Sequence, residues 1–510
     1  MEKLYNSPYL LYLTLFFIGG LSTFSLPPFS VFPLILILGF GIHIIYNVNS
    51  LKKTFYSGWF LGFGWFSFGL YWIGSAFLVS NTYQVFLMPL AVIILPSVLA
   101  VFWALAFLLA KLISNRIGSS ILLMIVTLSL SEYIRSHIFT GFPWLMPSML
   151  LTSNEYIIQI FSFVGSYTGN LVVITLSILP LMLYYNWKYK YTIFFMLLVP
   201  IILLFLGGFL RFYYRENLKI IDDQLITIVQ PNIEQKHKWS LIKRENHIKK
   251  LVELSKYKSE EYKKRYRIII WPETSFEGLI PRELNLLSNI AKDVVKDNKT
   301  SLIVGLLSLK DQKLFNSLVL LNYSGNIDYK YDKIHLVPFG EYIPFRKYFE
   351  SIAQLISKKD FSSGENKANI NVEGIGNILP LICYEILFSD DVRSRVSKNT
   401  KLIINITNDA WFGNTAGPYQ HLALTKIRAV ELGLPLARVA NTGISMLISP
   451  YGEEIIKIPL NKEGVKTTKL MSRLDETIYK KFGDYIFIIS ILFILFINRL
   501  IGLKNNFIRF

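Results

Sequence analysis

The chain has 510 residues, 52% of them hydrophobic and only 17% charged, with a mean hydropathy of +0.40. That balance is too apolar for a soluble protein of this length and makes a multi-span membrane protein the default. The formal net charge of +18 comes without a dense basic block, so it points to anionic lipid surfaces and general lysine usage rather than to nucleic acid, and the single cysteine, Cys383, rules out an internal disulfide framework.

Apolar runs approaching the length of a bilayer crossing, about 17 to 25 residues, occur at 10–23, 31–46, 56–79, 85–109, 119–138, 157–184 and 191–210, and again at 485–497. Together they predict about eight spans. The first two are short and joined by Leu26-Pro27-Pro28, which suggests a helical hairpin, and the first lacks a small-residue cleavage site, so it reads as a retained helix. Lys3, Lys52, Lys53, Lys111, Arg116, Lys188, Lys190, Arg499, Lys504 and Arg509 fall on one side of successive spans, while the opposite loops at 26–30 and 80–84 carry no Lys or Arg. By the positive-inside rule that side is cytoplasmic, which puts the long segment between the last two spans outside the cytoplasm. Arg135 is the exception. It follows Glu132 by three residues, on one helix face, and is either a functional intramembrane pair or an ion pair that pins the helix.

The segment from about residue 213 to 483 changes character. Strand-like apolar runs at 225–229, 268–271, 301–305, 317–322, 378–383, 402–407 and 445–449 alternate with helical stretches such as 283–297 and 420–432. Runs of this kind suit a buried sheet layer covered by helices, an α/β sandwich. The expected organisation is a helical membrane domain at 1–212, a catalytic α/β domain at 213–483, and a closing transmembrane helix with a cytoplasmic tail at 484–510.

Three predicted strand ends each present a reactive group. Trp271-Pro272-Glu273 ends in a carboxylate, Tyr331-Asp332-Lys333 in an ammonium, and Leu381-Ile382-Cys383 in the thiol. Sites in α/β folds gather at the carboxyl ends of strands. A thiol needs a base or a nearby cation to act as a nucleophile, and Glu273 and Lys333 supply one of each. Lys333 and the backbone N–H of Tyr384 are candidate donors to a tetrahedral oxyanion. Taken singly, each residue has an ordinary reading: buried packing for Cys383, a turn for Glu273, a solvated charge for Lys333.

At these residues the chain resembles the nitrilase superfamily of carbon-nitrogen hydrolases, which places a Glu, Lys, Cys triad on an αββα sandwich, and within it the apolipoprotein N-acyltransferase family of bacteria. The motifs that carry the resemblance are Val229-Gln230-Pro231-Asn232, Lys238-Trp239, Trp271-Pro272-Glu273, the run from Lys333 to Tyr342, Cys383-Tyr384-Glu385, Asn408-Asp409-Ala410-Trp411-Phe412-Gly413, Gly417-Pro418, Gln420-His421 and, in the membrane part, Thr140-Gly141-Phe142-Pro143-Trp144. The resemblance implies a multi-pass enzyme of the bacterial inner membrane with its catalytic domain on the periplasmic side. It implies a ping-pong reaction that moves an acyl chain from a phospholipid, commonly phosphatidylethanolamine, through a thioester on Cys383 to the α-amine of a diacylglyceryl-cysteine at a lipoprotein terminus, the last step of lipoprotein maturation. It also implies that Glu341, Tyr384 and Glu385 support the triad, that Trp239 and Tyr384 hold or admit lipid, and that no cofactor is needed. Trp239 and Trp411 have core packing as their alternative.

After Glu341, the apolar residues Phe345, Tyr348, Phe349, Ile352, Leu355 and Ile356 recur at helical spacing, with Arg346, Lys347, Glu350 and Ser351 on the other face. Such an arm either dips into lipid and gates the site or packs as a surface helix. His421, with Trp411, is a candidate substrate contact, although no histidine has metal-ligand spacing and a structural role suits His335 and His421 better. A membrane-anchored amidase would carry the same triad, and a transporter or scaffold with a degenerate enzyme domain is the third reading. The intact triad and the want of paired, interrupted spans argue against the transporter, and a monomer acting on lipid is the expectation.

Overall fold

The computed structural model describes residues 2–79, 83–114, 117–184, 190–256, 265–344, 346–348 and 360–506. The chain divides into two compact units, one of residues 1–74, 87–215 and 477–510 and the other of residues 75–86 and 216–476.

All eight predicted apolar segments are helical: Pro8–Ser22, Ile35–Tyr46, Leu51–Gly69, Met88–Ile113, Ile117–Arg135, Phe161–Met182, Lys190–Tyr213 and Tyr485–Asn506. Four described stretches are long and apolar enough to cross a bilayer, Pro8–Ser25, Val85–Ile113, Ile157–Met182 and Lys190–Tyr213, and Phe32–Tyr46 and Tyr485–Leu500 are apolar but shorter. Lys190–Tyr213 is only 22% buried and Val85–Ile113 39%, against 83% for Ile157–Met182. The first two present Phe195, Leu203, Ile93 and Val98 outward, as helices in contact with lipid do. Ile117–Arg135, by contrast, is buried from Ile121 through Ser129, and a helix enclosed by protein can carry Ser, Thr and charge without meeting lipid. Small residues set the closest approach. A Cβ on Gly64 would lie 1.9 Å from the Phe16 carbonyl and one on Gly19 2.0 Å from that of Leu61, so two helices pack backbone to backbone.

Glu132 and Arg135 are fully buried. Their carboxylate and guanidinium meet at 2.5 Å, the Trp103 indole donates to Glu132 at 2.8 Å, and Arg135 donates to the carbonyls of Phe142 and Trp144, the latter at 3.1 Å. Arg135 is therefore a structural cation, which explains why it stands outside the loop-charge pattern. It donates to two carbonyls of the irregular Thr140 to Trp144 backbone, where regular helical hydrogen bonding is interrupted.

The other unit is a two-sheet sandwich. Its strands are β1 (Ile220–Gln230), β2 (Tyr266–Ile270), β3 (Leu279–Ile280), β4 (Thr300–Lys310), β5 (Lys313–Leu321), β6 (Ile327–Asp332), β7 (Ile370–Val372), β8 (Gly376–Ile382), β9 (Thr400–Thr407), β10 (Leu436–Ala440), β11 (Ser445–Ile448), β12 (Glu454–Ile458) and β13 (Gly464–Met471). One sheet runs β13-β1-β2-β4-β5-β6 with β3 beside β4, and the second runs β12-β11-β10-β9-β8-β7. Each has a parallel centre, β1-β2-β4 or β8-β9-β10, extended by antiparallel strands. Two antiparallel steps restore direction, so β6 ends on the same sheet edge as β2.

Alternation explains the layering. Ile268 and Ile270 of β2 enter the core between the sheets with Ile378, Ile382, Leu402 and Ile404, while Ile269 and Trp271 face the helices Leu241–Ser255 and Leu284–Val294 through Leu251, Leu287 and Ile290. The observed limits differ from the expected 213–483 at both ends. Helix Ile478–Phe482 belongs with the helical unit because the Tyr479 ring fills the space over Gly165, whose φ of +70° and 2.1 Å clearance admit no side chain. Residues 75–86, expected in the membrane domain, group with the sandwich, where Ser75 lies against Gly413.

Candidate active site

Three strand exits converge. Glu273 follows β2, Lys333 follows β6 and Cys383 follows β8 directly. Glu273 and Lys333 are buried at 7% and 1% exposure, and Cys383 is partly exposed. The Lys333 ammonium lies 2.8 Å from Glu341 and 3.9 Å from Glu273. Asn316 of β5 donates its side-chain amide to both carboxylates, at 2.7 Å to Glu273 and 2.9 Å to Glu341, and its backbone carbonyl accepts from the Lys333 backbone N–H at 2.8 Å. One amide thus spaces two carboxylates around one ammonium.

The electrostatics follow from that packing. Burial raises the Glu273 carboxyl above the ordinary carboxylate range, with Glu341 adding to the rise and Lys333, Asn316 and Lys238 opposing it. Burial works against the Lys333 ammonium, but Glu341, then Cys383 and Glu273, more than restore it, so it stays charged. Desolvation, reinforced by Glu273, pushes the Cys383 thiol well up despite Lys333. At rest the site holds a thiol, a cation and a base whose proton affinity has been raised toward its task.

Cys383 sits in a left-handed backbone conformation, φ +53°, that a side chain adopts only when its surroundings enforce it. Two sets of contacts enforce it here. Glu385 is fully buried, one carboxylate oxygen accepting from Tyr331 Oη at 2.7 Å and from the N–H groups of Ile334 and His335 at 2.8 and 3.2 Å, the other from Ile382 N–H at 2.7 Å. A single side chain thereby staples the Lys333 loop of one sheet to the Cys383 strand end of the other. Behind the thiol, Asn405 donates to the Cys383 carbonyl at 3.2 Å, His421 makes a polar contact with the same backbone, and Thr407 reaches the sulfur. Asp409 gathers this second set: it accepts from Thr407 at 2.8 Å, lies 3.0 Å from His421 Nδ1 and pairs with Arg438. Burial alone would lift the Asp409 carboxyl, but Arg438 and His421 hold it below the usual range, whereas burial and then Arg438 lower His421 and keep it neutral near pH 7.

His421, a candidate substrate contact from sequence, is fully buried in this support, with its Nδ1 on Asp409. Tyr384, expected to help admit lipid, is 4% exposed and packs its ring against His335 and Phe388. Core packing does not describe Trp239 and Trp411, which are 46% and 42% exposed. Tyr348 closes the short turn Arg346–Tyr348, whose Arg346 is paired with Asp360 at 2.6 Å; Phe345, Phe349 and most of the predicted amphipathic arm lie outside the described residues. Asn316, Asn405, Thr407 and Arg438 are absent from the sequence reading. Asn316 had a signal, an amide interrupting the apolar run of β5 at the edge where the reactive residues gather.

A family model described as "Carbon-nitrogen hydrolase" matches residues 225–479, and one described as "Apolipoprotein N-acyltransferase N-terminal domain" matches residues 18–179. The chain is 32% identical over 489 residues to the apolipoprotein N-acyltransferase of Rhodopseudomonas palustris, covering 91% of this chain and 90% of that one. The chain belongs to the apolipoprotein N-acyltransferase family. The enzyme of that name from Brucella suis is 31% identical over 487 residues, again covering 91% of this chain and 90% of that one. Among solved structures, Nit3 of Saccharomyces cerevisiae, a member of branch 10 of the nitrilase superfamily, is similar with a TM-score of 0.38 and 18% identity over 49% of this chain and 91% of that chain. As a member of the apolipoprotein N-acyltransferase family the chain is a membrane acyltransferase, with apolar helices and an α/β sandwich in one polypeptide.

Proposed function

We propose that this acyltransferase carries an acyl chain from a membrane phospholipid, phosphatidylethanolamine being the expected donor, to the α-amine of a diacylglyceryl-cysteine on an apolipoprotein, through a thioester on Cys383. The observation that carries the reading is the meeting of a buried base, a buried cation and a partly exposed thiol at three strand exits. In the first half, Glu273 takes the Cys383 proton as sulfur attacks the ester carbonyl. Because the resting thiol is strongly protonated, proton removal and attack are coupled, and a raised carboxyl is the better base for that step. The Lys333 ammonium and the Tyr384 N–H face the developing oxyanion. Collapse breaks the ester C–O bond, the proton passes from Glu273 to the departing lysophospholipid oxygen, and the acyl group remains on sulfur. In the second half, the amine attacks the thioester, Glu273 accepts its proton, and as the C–S bond breaks that proton passes from Glu273 to the departing sulfur, which restores the Cys383 thiol and the ionised base.

The reading places residues 216–476 on the periplasmic side of the inner membrane, as the loop-charge pattern predicts, and the enzyme acts as a monomer. Mass spectrometry of the enzyme incubated with phospholipid alone should find one hydroxylamine-labile acyl adduct on Cys383, absent from Cys383→Ser. A diacylated lipopeptide should then discharge it. If no adduct forms on active enzyme, the thioester mechanism fails; if water discharges it as fast as the lipopeptide, the site is a hydrolase.

A further inference from the structure

Beside Glu273 the chain buries a second set of charges that the triad does not use. Glu277, four residues beyond Glu273, is 5% exposed. One of its oxygens accepts from the Trp239 backbone N–H at 3.2 Å, and the other lies 2.8 Å from His247 Nδ1 on the helix Leu241–Ser255. Lys238, 7% exposed, donates through Nζ to the Glu273 backbone carbonyl at 3.2 Å. Burial lowers its ammonium to about 8, although Glu273 and Glu277 both act to keep it charged. Trp239 itself is held at φ +70°, a left-handed conformation that a bulky side chain does not adopt unaided. Immediately outside this buried set the chain turns apolar and exposed, with Trp239 at 46%, Leu241 at 85% and Ile242 at 91% exposure.

We infer that Glu277 is a positioning residue for the acyl donor: it clasps the Trp239 turn against the Glu273 strand exit, so that Trp239, Leu241 and Ile242 form an apolar rest for the donor's acyl chain beside the base. The inference rests on the acyl-enzyme reading above and on the lipid contact that the resemblance implies for Trp239, and adds to them the residue that holds that contact in place. An exposed indole and two exposed aliphatic side chains within four positions would be free to wander on an unsecured loop. Here the Trp239 N–H is tied to Glu277 and the side chain of the preceding Lys238 to the Glu273 carbonyl, and the tie at Trp239 overrides a backbone preference. Glu277 acts through Trp239 and does not touch the reacting atoms, which separates it from the Lys333, Glu341 and Asn316 cluster.

The test is made on the full-length enzyme in detergent with Glu277→Ala, Glu277→Gln and the surface double variant Leu241→Ser/Ile242→Ser. Hydrogen exchange at the Trp239 amide should rise about tenfold in Glu277→Ala and less in Glu277→Gln, which keeps an acceptor. For a phospholipid with sixteen-carbon chains, KM should rise about tenfold in Glu277→Ala with kcat within twofold, and the double variant should move KM the same way. For a water-soluble four-carbon p-nitrophenyl ester, acylation of Cys383 should be unchanged. A loss independent of chain length, an unchanged Trp239 amide, or a double variant with parental KM overturns the inference. If the parent enzyme fails to acylate Cys383 with either donor, the acyl-enzyme reading falls first and the clasp falls with it.

Discussion

Two buried ion clusters in this molecule use similar parts to different ends. In the helical unit, Glu132 and Arg135 face each other with their contacts spent on structure, among them an indole and two backbone carbonyls. In the sandwich, Glu273 and Lys333 are also buried and Glu341 is partly so, but they sit beside a partly exposed thiol on a strained backbone. Burial of charge is therefore not itself the mark of a site. What separates the clusters is whether the charges are spent on fixing the chain or left facing a group that can react.

The largest effect should come from removing the reactive partner. Cys383→Ala should lower acyl transfer by about four orders of magnitude or more, to background, because both half-reactions pass through sulfur. The melting temperature should hardly move, since a partly exposed thiol contributes little packing. A substantial residual rate in Cys383→Ala would end the distinction between the two clusters. In the helical unit the expected outcome is reversed. Arg135→Leu leaves a buried carboxylate without its cation and takes one donor from two backbone carbonyls, and should destabilise the protein by about 3–5 kcal/mol, read as lost folded yield and a lower thermal midpoint in detergent. Any activity that remains in the folded fraction should have parental KM.

Asn316 tests the comparison from the side of the site. Asn316→Leu removes one amide from two carboxylates, and hydrogen bonds to charged groups are worth about 1.5–3 kcal/mol. Turnover should fall about 10- to 100-fold while the Cys383 thiol still alkylates with iodoacetamide. Equal loss of alkylation and turnover would mean that Asn316 only holds the fold.

The helices, the strand exits and Cys383 were legible because each is a local pattern: an apolar run, or an apolar run closed by a reactive residue. Which helices face lipid was not, because Ile117–Arg135 and Lys190–Tyr213 both read as apolar runs and are told apart by what encloses them. The same limit hid β10, where Arg438 interrupts a short apolar run. An arginine in a fully buried strand makes sense only once Asp409, about thirty residues earlier, is seen to neutralise it. Glu273, Lys333 and Cys383 could be read as a set because each ends a strand. The staple by Glu385, the spacing by Asn316 and the clasp by Glu277 join residues far apart in sequence, and no local pattern announces such a pairing.

The smallest effect, about a unit on the pH axis, is the sharpest. Burial raises Glu273, so the folded protein holds that proton more tightly than the unfolded chain does. The stability this confers is complete below the ordinary carboxyl value of about 4.3 and is lost as pH rises through the raised one. At neutral pH the ionised base is therefore a burden on the fold that activity requires. Two consequences of opposite sign follow. The rate of Cys383 acylation should fall on acidification with a midpoint above the ordinary carboxyl range, because the base is lost as it protonates. Glu273→Gln, which mimics the protonated form and leaves Lys333 paired with Glu341 at 2.8 Å, should abolish turnover yet raise the thermal midpoint at pH 7.5. Asn316→Leu, having removed a hydrogen bond that favours the ionised carboxylate, should shift the acid limb upward by about one unit, the equivalent of about 1.4 kcal/mol. Stopped-flow acylation between pH 4.5 and 8 measures both limbs, and an upward shift in turnover without one in acylation would move the titrating group out of the Glu273 step.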